Sequence, residues 1–257
     1  MKTARRPAPL SPLPALAVLL FTAGLLAGWA GASVHPQNSP DPTSAPSSAP
    51  IQSAAPLPSP TPIPPDRPAP GESWALTLVN FDHPLPEGFT APELTQLRNG
   101  HAVDSRVYPA LQRMMDGCRA AGLQPLICSS YRAEDTQRRL FEQEVQNWRS
   151  QGYAQEEAEE QAARWVARPG TSEHQSGLAV DIVDTSYQAL DQGQEATAVQ
   201  RWLMAHCAQY GFILRYPVEK SALTGVNYEP WHYRYVGVEA AREIMGSGLC
   251  LEEYLTQ

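Results

Sequence analysis

The sequence predicts an α+β domain behind a long non-globular N-terminal region. Three observations lead there. Helical and extended patterns are mixed over residues 73–257, without the regular β-α-β alternation of a parallel sheet. This stretch of roughly 185 residues is long enough to bury one sizeable core, and it holds no internal repeat. Ahead of it the composition changes abruptly: 13 of the 25 prolines fall between residues 33 and 72.

In chain order, Lys2, Arg5 and Arg6 precede an apolar run over residues 14–32 that ends in Ala30-Gly31-Ala32. A basic start, an apolar stretch and a small-residue site are the parts of a secretory signal. At about 19 residues the run is also near the minimum for a membrane span. Residues 1–32 are therefore either a cleaved signal or an uncleaved membrane anchor, and both place the rest of the chain outside the cytoplasm. Residues 33–72 are rich in Pro, Ser, Ala and Thr. They have too little apolar surface to offset the entropy of ordering and read as a disordered, semi-rigid extended stalk.

The domain at 73–257 opens with a short strand over 74–79 and a turn-rich stretch over 82–92. A strand over 102–107 leads into a helix over 108–121, with apolar Leu111, Met114 and Met115 at helical spacing and Gly122 as its stop. A buried strand follows over 126–130. Asp135 caps a helix that runs to about Arg149, and a Glu- and Ala-rich helix covers 155–166. After the break at Ala167-Arg168-Pro169-Gly170 come a strand over 178–183, a helix over 195–210 ended by Gly211, and strands over 212–216 and 232–236. A helix over 238–245 closes the domain.

The net charge of −8 argues against a nucleic-acid partner, which calls for a basic patch. All four cysteines lie in the domain. An even count in an exported chain suggests two disulfides. Cys118–Cys128 and Cys207–Cys250 are the expected pairs, since each would tie a helix to a nearby element. No Cys-x-x-Cys supports a thiolate metal site.

The chemistry concentrates in two segments. Asp181 sits inside the apolar run Leu178-Ala179-Val180-Asp181-Ile182-Val183, where a carboxylate is costly unless paired or bound to a metal. With His174 seven residues earlier and His232 downstream, it makes a three-ligand set suited to an open zinc site. Glu229 lies three residues before His232. On a straight strand that offset would send the two side chains to opposite faces, but Pro230 supplies a bend that aims both at one site. Glu229 is then a candidate general base. Arg132, directly after the strand over 126–130, is a candidate for an oxyanion or a substrate carboxylate.

Three blocks now stand together: Ser129-Ser130-Tyr131-Arg132, Ser172-Glu173-His174-Gln175-Ser176-Gly177-Leu178-Ala179-Val180-Asp181 and Glu229-Pro230-Trp231-His232-Tyr233-Arg234-Tyr235. They resemble the signature blocks of the VanY-type zinc D-alanyl-D-alanine carboxypeptidases, and residues 74–86 resemble that family's entry segment. The resemblance covers nearly all of 73–257 and none of the stalk. It implies one compact domain with a central, mostly antiparallel sheet flanked by helices, similar to the hedgehog and D-Ala-D-Ala peptidase fold. It implies zinc on His174, Asp181 and His232, Glu229 as catalytic base, Arg132 on the reacting carbonyl or the terminal carboxylate, and Ser172 in the substrate site. Gln137 and Trp231 are further candidates to line the pocket. Ser130 stands where the family's first block usually has glycine, a small change that leaves the arginine's role intact. The implied substrate is a peptidoglycan stem peptide trimmed of its last D-amino acid. An L,D-carboxypeptidase, a cross-link endopeptidase and a non-catalytic wall-binding module are the alternatives.

Overall fold

The computed structural model describes residues 72–256. The signal or anchor expected over 1–32, and the stalk apart from residue 72, lie outside the described residues. The entry segment forms a 3-10 turn, Glu72–Leu76, where a strand was expected. Trp74 explains the difference: its ring stacks on Tyr235 at 5.9 Å and lies under the Arg106 guanidinium at 3.8 Å. Those contacts fold the segment down onto the domain.

A small hairpin follows, of β1 (Leu94–Gln96) and β2 (Ala102–Asp104). Helix α1 (Tyr108–Ala120) has proline in its first turn, where the missing N–H costs nothing. Strand β3 (Pro125–Ser129) leads to α2 (Glu134–Ser150) and α3 (Gln155–Ala163). These two helices bury Phe141, Val145, Ala158 and Ala162 in a small core of their own. Strand β4 (Ala179–Asp184) comes next. Helix α4 (Ala198–His206) starts later than the sequence pattern suggests, because the Thr197 hydroxyl accepts from the Gln200 N–H and caps it there. Strand β5 (Phe212–Leu214), the short helix α5 (Ser221–Thr224), strand β6 (His232–Tyr235), helix α6 (Val238–Ser247) and helix α7 (Leu251–Tyr254) complete the chain.

Four strands form one antiparallel sheet in the order β3-β4-β6-β5. Side chains alternate across it with a period of two. Val180, Ile182, Phe212 and Tyr233 point to one face and pack with Leu111, Met114, Val199 and Leu203 of α1 and α4. Burial of each such side chain contributes roughly 1.5–3 kcal/mol. The residues between them, Asp181 on β4, His232 and Arg234 on β6, and Arg215 just past β5, project from the other face and are just as buried. One face of the sheet holds the domain together. The other carries the buried polar groups, with Ile213 in a smaller apolar cluster beside them.

The two expected disulfides are not formed; all four cysteines are free. Cys118 and Cys207 are small apolar members of the main core, and burial pushes their thiols up to about 11 and about 12. Cys128 instead directs its Sγ at the Asp181 carbonyl oxygen, 3.5 Å away across the β3–β4 ladder. Cys250 is the N-cap of α7.

Candidate metal centre and active site

Register assembles the site. Asp181 on β4 lies directly opposite His232 on β6, so their side chains leave the same face as cross-strand neighbours. A 3-10 turn, Glu173–Ser176, then sets His174 over them. The turn ends at Gly177, which has φ +75° and lies against β2, where an added Cβ would come within 3.0 Å of the Asp104 amide nitrogen. Only glycine suits both conditions. His174 Nε2 is 3.3 Å from Asp181 Oδ2, and His232 Nδ1 is 3.1 Å from Asp181 Oδ1. The three donor atoms all lie within 4.8 Å of one another, and all three residues are buried.

This arrangement suits a metal. The His174 Nδ1–H donates to the Ser130 carbonyl at 2.8 Å, which leaves a lone pair on Nε2. The His232 Nε2–H donates to Glu173 Oε2 at 3.2 Å, which leaves one on Nδ1. Tetrahedral zinc with ligands at about 2.0–2.2 Å holds its donor atoms about 3.3 Å apart. His174 and His232 each stand near that distance from one of the two Asp181 oxygens. The donor set of two imidazoles and one carboxylate also matches zinc's chemistry, and no fourth protein ligand closes the cluster among the described residues.

Glu229 comes to the same place by a turn. The His232 N–H donates to the Glu229 carbonyl at 3.2 Å, and Pro230 holds the second position of that turn. Glu229 Oε2 thus lies 3.8 Å from His232 Nδ1, as the bend at Pro230 leads one to expect. Burial pushes the Glu229 carboxyl up to about 8. His232 and Arg132 oppose that shift, while Asp181 and Glu173 add to it. Burial and the nearby Arg132 push His174 down to about 4. Burial also disfavours the charged form of His232, but its bonds to Asp181 and Glu173 outweigh that and raise it to about 9. Burial likewise works against the Asp181 carboxylate, yet the two imidazoles hold its pKa well below the usual range.

Arg132 is fixed beside this cluster by its backbone N–H, which donates to the His174 carbonyl at 3.1 Å. Its Nε is buried with no hydrogen-bond partner among the described residues. Burial works against its charge, while Asp181 and Glu229 favour it. A buried donor left unpaired is costly unless something else supplies an acceptor.

The remaining candidates divide. Ser172 is buried one residue before Glu173, and its carbonyl accepts from Gln175. Gln137 is buried at the start of α2; its Nε2 donates to the Ala167 carbonyl at 2.7 Å and its Oε1 has no partner among the described residues. Trp231 is buried too, and its carbonyl accepts from Ile182 across the β4–β6 boundary. None of the three adds a donor atom to the metal cluster.

Sequence reasoning missed the layer beneath the ligands. The Glu173 carboxylate accepts from His232, from Arg215 Nε at 2.7 Å and from Arg234 Nη1 at 2.8 Å. All of these groups are buried. A signal was available: Arg234 follows His232 by two on one strand, and so shares its buried face.

The model of the VanY family, described as D-alanyl-D-alanine carboxypeptidase, matches residues 100–238. A D-alanyl-D-alanine carboxypeptidase of Enterococcus faecalis is 46% identical over 184 residues, which is 72% of this chain and 66% of that protein. The chain thus spans about two thirds of the length of that relative. The structure of VanYB in complex with D-alanine-D-alanine superposes with a TM-score of 0.66 at 46% identity, over 72% of this chain and 98% of that one. A zinc-bound VanY variant from a VanB-type vancomycin-resistance cassette gives 0.65 at 46% identity, over 71% and 99%.

Proposed function

This chain belongs to the VanY family of D-alanyl-D-alanine carboxypeptidases, and from that membership and the geometry of the buried polar face we infer a zinc-dependent carboxypeptidase that removes the C-terminal D-alanine from peptidoglycan stem peptides. The observation that carries the reading is the convergence of His174 Nε2, Asp181 and His232 Nδ1, all within 4.8 Å of one another, with Glu229 3.8 Å from His232.

His174, Asp181 and His232 hold the metal. When bound, zinc supplies Lewis acidity that polarises the scissile carbonyl and makes water a better nucleophile at neutral pH. Glu229 takes the proton of the attacking water on its carboxylate and returns it to the departing amine of D-alanine. Its buried position favours the protonated state that the second step needs. Arg132, with an unpaired donor in the site, receives the oxyanion of the tetrahedral state or the terminal carboxylate of the peptide. Ser172, Gln137 and Trp231 line the substrate side. The basic and apolar start of the chain supports placement outside the cytoplasm, either secreted or held to the membrane, with residues 33–72 as spacer.

Mass spectrometry of pentapeptide and tetrapeptide stems, incubated with wild type and Glu229→Gln, tests this. Loss of one D-alanine from the pentapeptide, abolished by chelator and restored by zinc, is the expected result. The variant should retain zinc while turnover falls by about 10²–10⁴-fold. Trimming of the tetrapeptide alone would move the activity to L,D-carboxypeptidase. Full activity of Glu229→Gln would remove Glu229 as the base.

A further inference from the structure

We propose that Glu173 is the positioning residue for His232, and that it is held in place by two buried arginines whose own partners come from the first and last segments of the domain's sequence. The inference rests on the zinc reading of the site and adds a layer to it.

Nothing in the three-ligand set itself decides which nitrogen of His232 faces the metal. Either imidazole nitrogen can carry the proton. Glu173 Oε2, 3.2 Å from His232 Nε2, accepts that proton's hydrogen bond and turns Nδ1 toward Asp181. A carboxylate can do this only if it is ionised and does not swing away. Glu173 Oε1 meets both conditions. It accepts from Arg215 Nε at 2.7 Å and from Arg234 Nη1 at 2.8 Å, so two permanent cations fix the one oxygen while the other serves the imidazole.

The arginines are anchored in turn. Arg215 places Nη1 and Nη2 on the two oxygens of Glu252 in α7, at 2.8 and 2.6 Å. Asn80 Nδ2 donates to the same Glu252 carboxylate at 3.1 Å. Arg234 Nη2 donates to the carbonyls of Ala75 and Thr77 in the entry segment, at 2.9 and 2.8 Å. Glu173, Arg215 and Arg234 are almost wholly buried. Two carboxylates and two guanidiniums balance in charge, and every guanidinium nitrogen donates a hydrogen bond. That completeness is what a buried ionic network needs to hold one geometry. Supporting carboxylates of this kind raise ligand basicity and orient the ring, and their loss costs roughly 10–100-fold in metal affinity.

The test is zinc affinity of the full chain, measured by competition with a chromophoric chelator, for wild type and Glu173→Gln. Cobalt-substituted forms of both give the visible spectrum. The variant should bind zinc roughly 10–100-fold more weakly and show altered cobalt bands, while its metal-free melting curve remains cooperative. Wild-type affinity with an unchanged cobalt spectrum would overturn the proposal and leave the zinc reading standing. A wild-type protein that binds no zinc would remove the zinc reading itself, and the proposal with it. If the variant does not fold, nitrogen-15 spectra of histidine-labelled, zinc-loaded wild type decide the matter. His232 should show a coordinated Nδ1 and a protonated Nε2; the reverse assignment overturns the proposal.

Discussion

Arg132 brings a permanent charge and a forked set of donors to a site that holds Asp181 and Glu229. With its backbone tied to the His174 carbonyl and its Nε unpaired, it is placed by the same turn that places a metal ligand. Lysine would keep the charge and lose the fork. Arg132→Lys is therefore expected to lower kcat/KM by about 10–100-fold, with Arg132→Ala lower still. Steady-state kinetics on a pentapeptide stem separate the two roles. A rise in KM alone marks contact with the terminal carboxylate, and a fall in kcat marks the oxyanion. Equal activity of the lysine variant would show that the fork is not used. At this scale the residues that meet at the site were legible, because a histidine, an aspartate inside an apolar run and a Glu-Pro-Trp-His turn are unusual company for one another. The residues that support them were not. Glu173 and Arg234 stand inside the signature blocks and Arg215 inside the strand over 212–216, but the sequence assigns none of them a role. Alternation along the strand puts Arg234 on the face of His232, but only the fold brings Glu173 and Arg215 to that face.

Among the elements, α7 has little sequence signal and one of the larger tasks. Four residues, Leu251–Tyr254, are too few for a periodic pattern. Yet Leu251 is buried in a cluster with Ile213, Val236 and Ile244, and Glu252 carries both terminal nitrogens of Arg215. Burial alone would raise the Glu252 carboxyl, but the bonds and charge of Arg215 outweigh it and lower the pKa. A carboxylate whose folded pKa is depressed contributes stability that is fully present above its unfolded value, near 4.3, and is lost as pH falls through the folded value. Glu252→Gln should therefore destabilise the domain at neutral pH by about 3 kcal/mol, since it leaves Arg215 partly uncompensated. It should also flatten the acid limb of the stability curve. Urea unfolding at a series of pH values between 3 and 7 checks both. The main sheet was predicted strand by strand with small errors at the ends, because β-branched and aromatic runs bounded by glycine mark such strands clearly. Of the β1–β2 hairpin, β2 falls within the strand expected over 102–107, but β1 fell short of that signal, since Leu94–Gln96 is only three residues long. The entry segment misled for a related reason: Trp74-Ala75-Leu76-Thr77-Leu78-Val79 alternates like a strand, but its aromatic ring is claimed by Tyr235 and Arg106.

Over the whole molecule, the sheet has the main apolar core on one side and, on the other, a half that is rich in buried polar groups. The polar half is expensive to bury. Asp181 and Glu229 approach the same point within 4 Å of His232, and Glu229 is driven toward its neutral form there. A divalent cation at that point relieves the cost, so the metal is expected to stabilise the fold as well as serve the chemistry. A ligand that binds only the native state adds about 4 kcal/mol when present at a thousand times its Kd. For a domain of this size that corresponds to a shift of about 10 °C in Tm. Chelation should lower the melting midpoint by that order, and re-addition of zinc should restore it. Calcium should not, because it prefers six to eight oxygen ligands and this cluster offers two imidazoles and one carboxylate. Differential scanning calorimetry of the chelated, zinc-restored and calcium-treated protein makes the comparison. A midpoint that does not move on chelation would mean that the three residues bind zinc no better than the unfolded chain does, and would count against a site built by the fold. The four thiols bear on the same measurement. Held reduced in the structure, three of them buried, they add no cross-link, and the stability lost on chelation is then not masked by a covalent tie. A reducing agent should leave the shift unchanged.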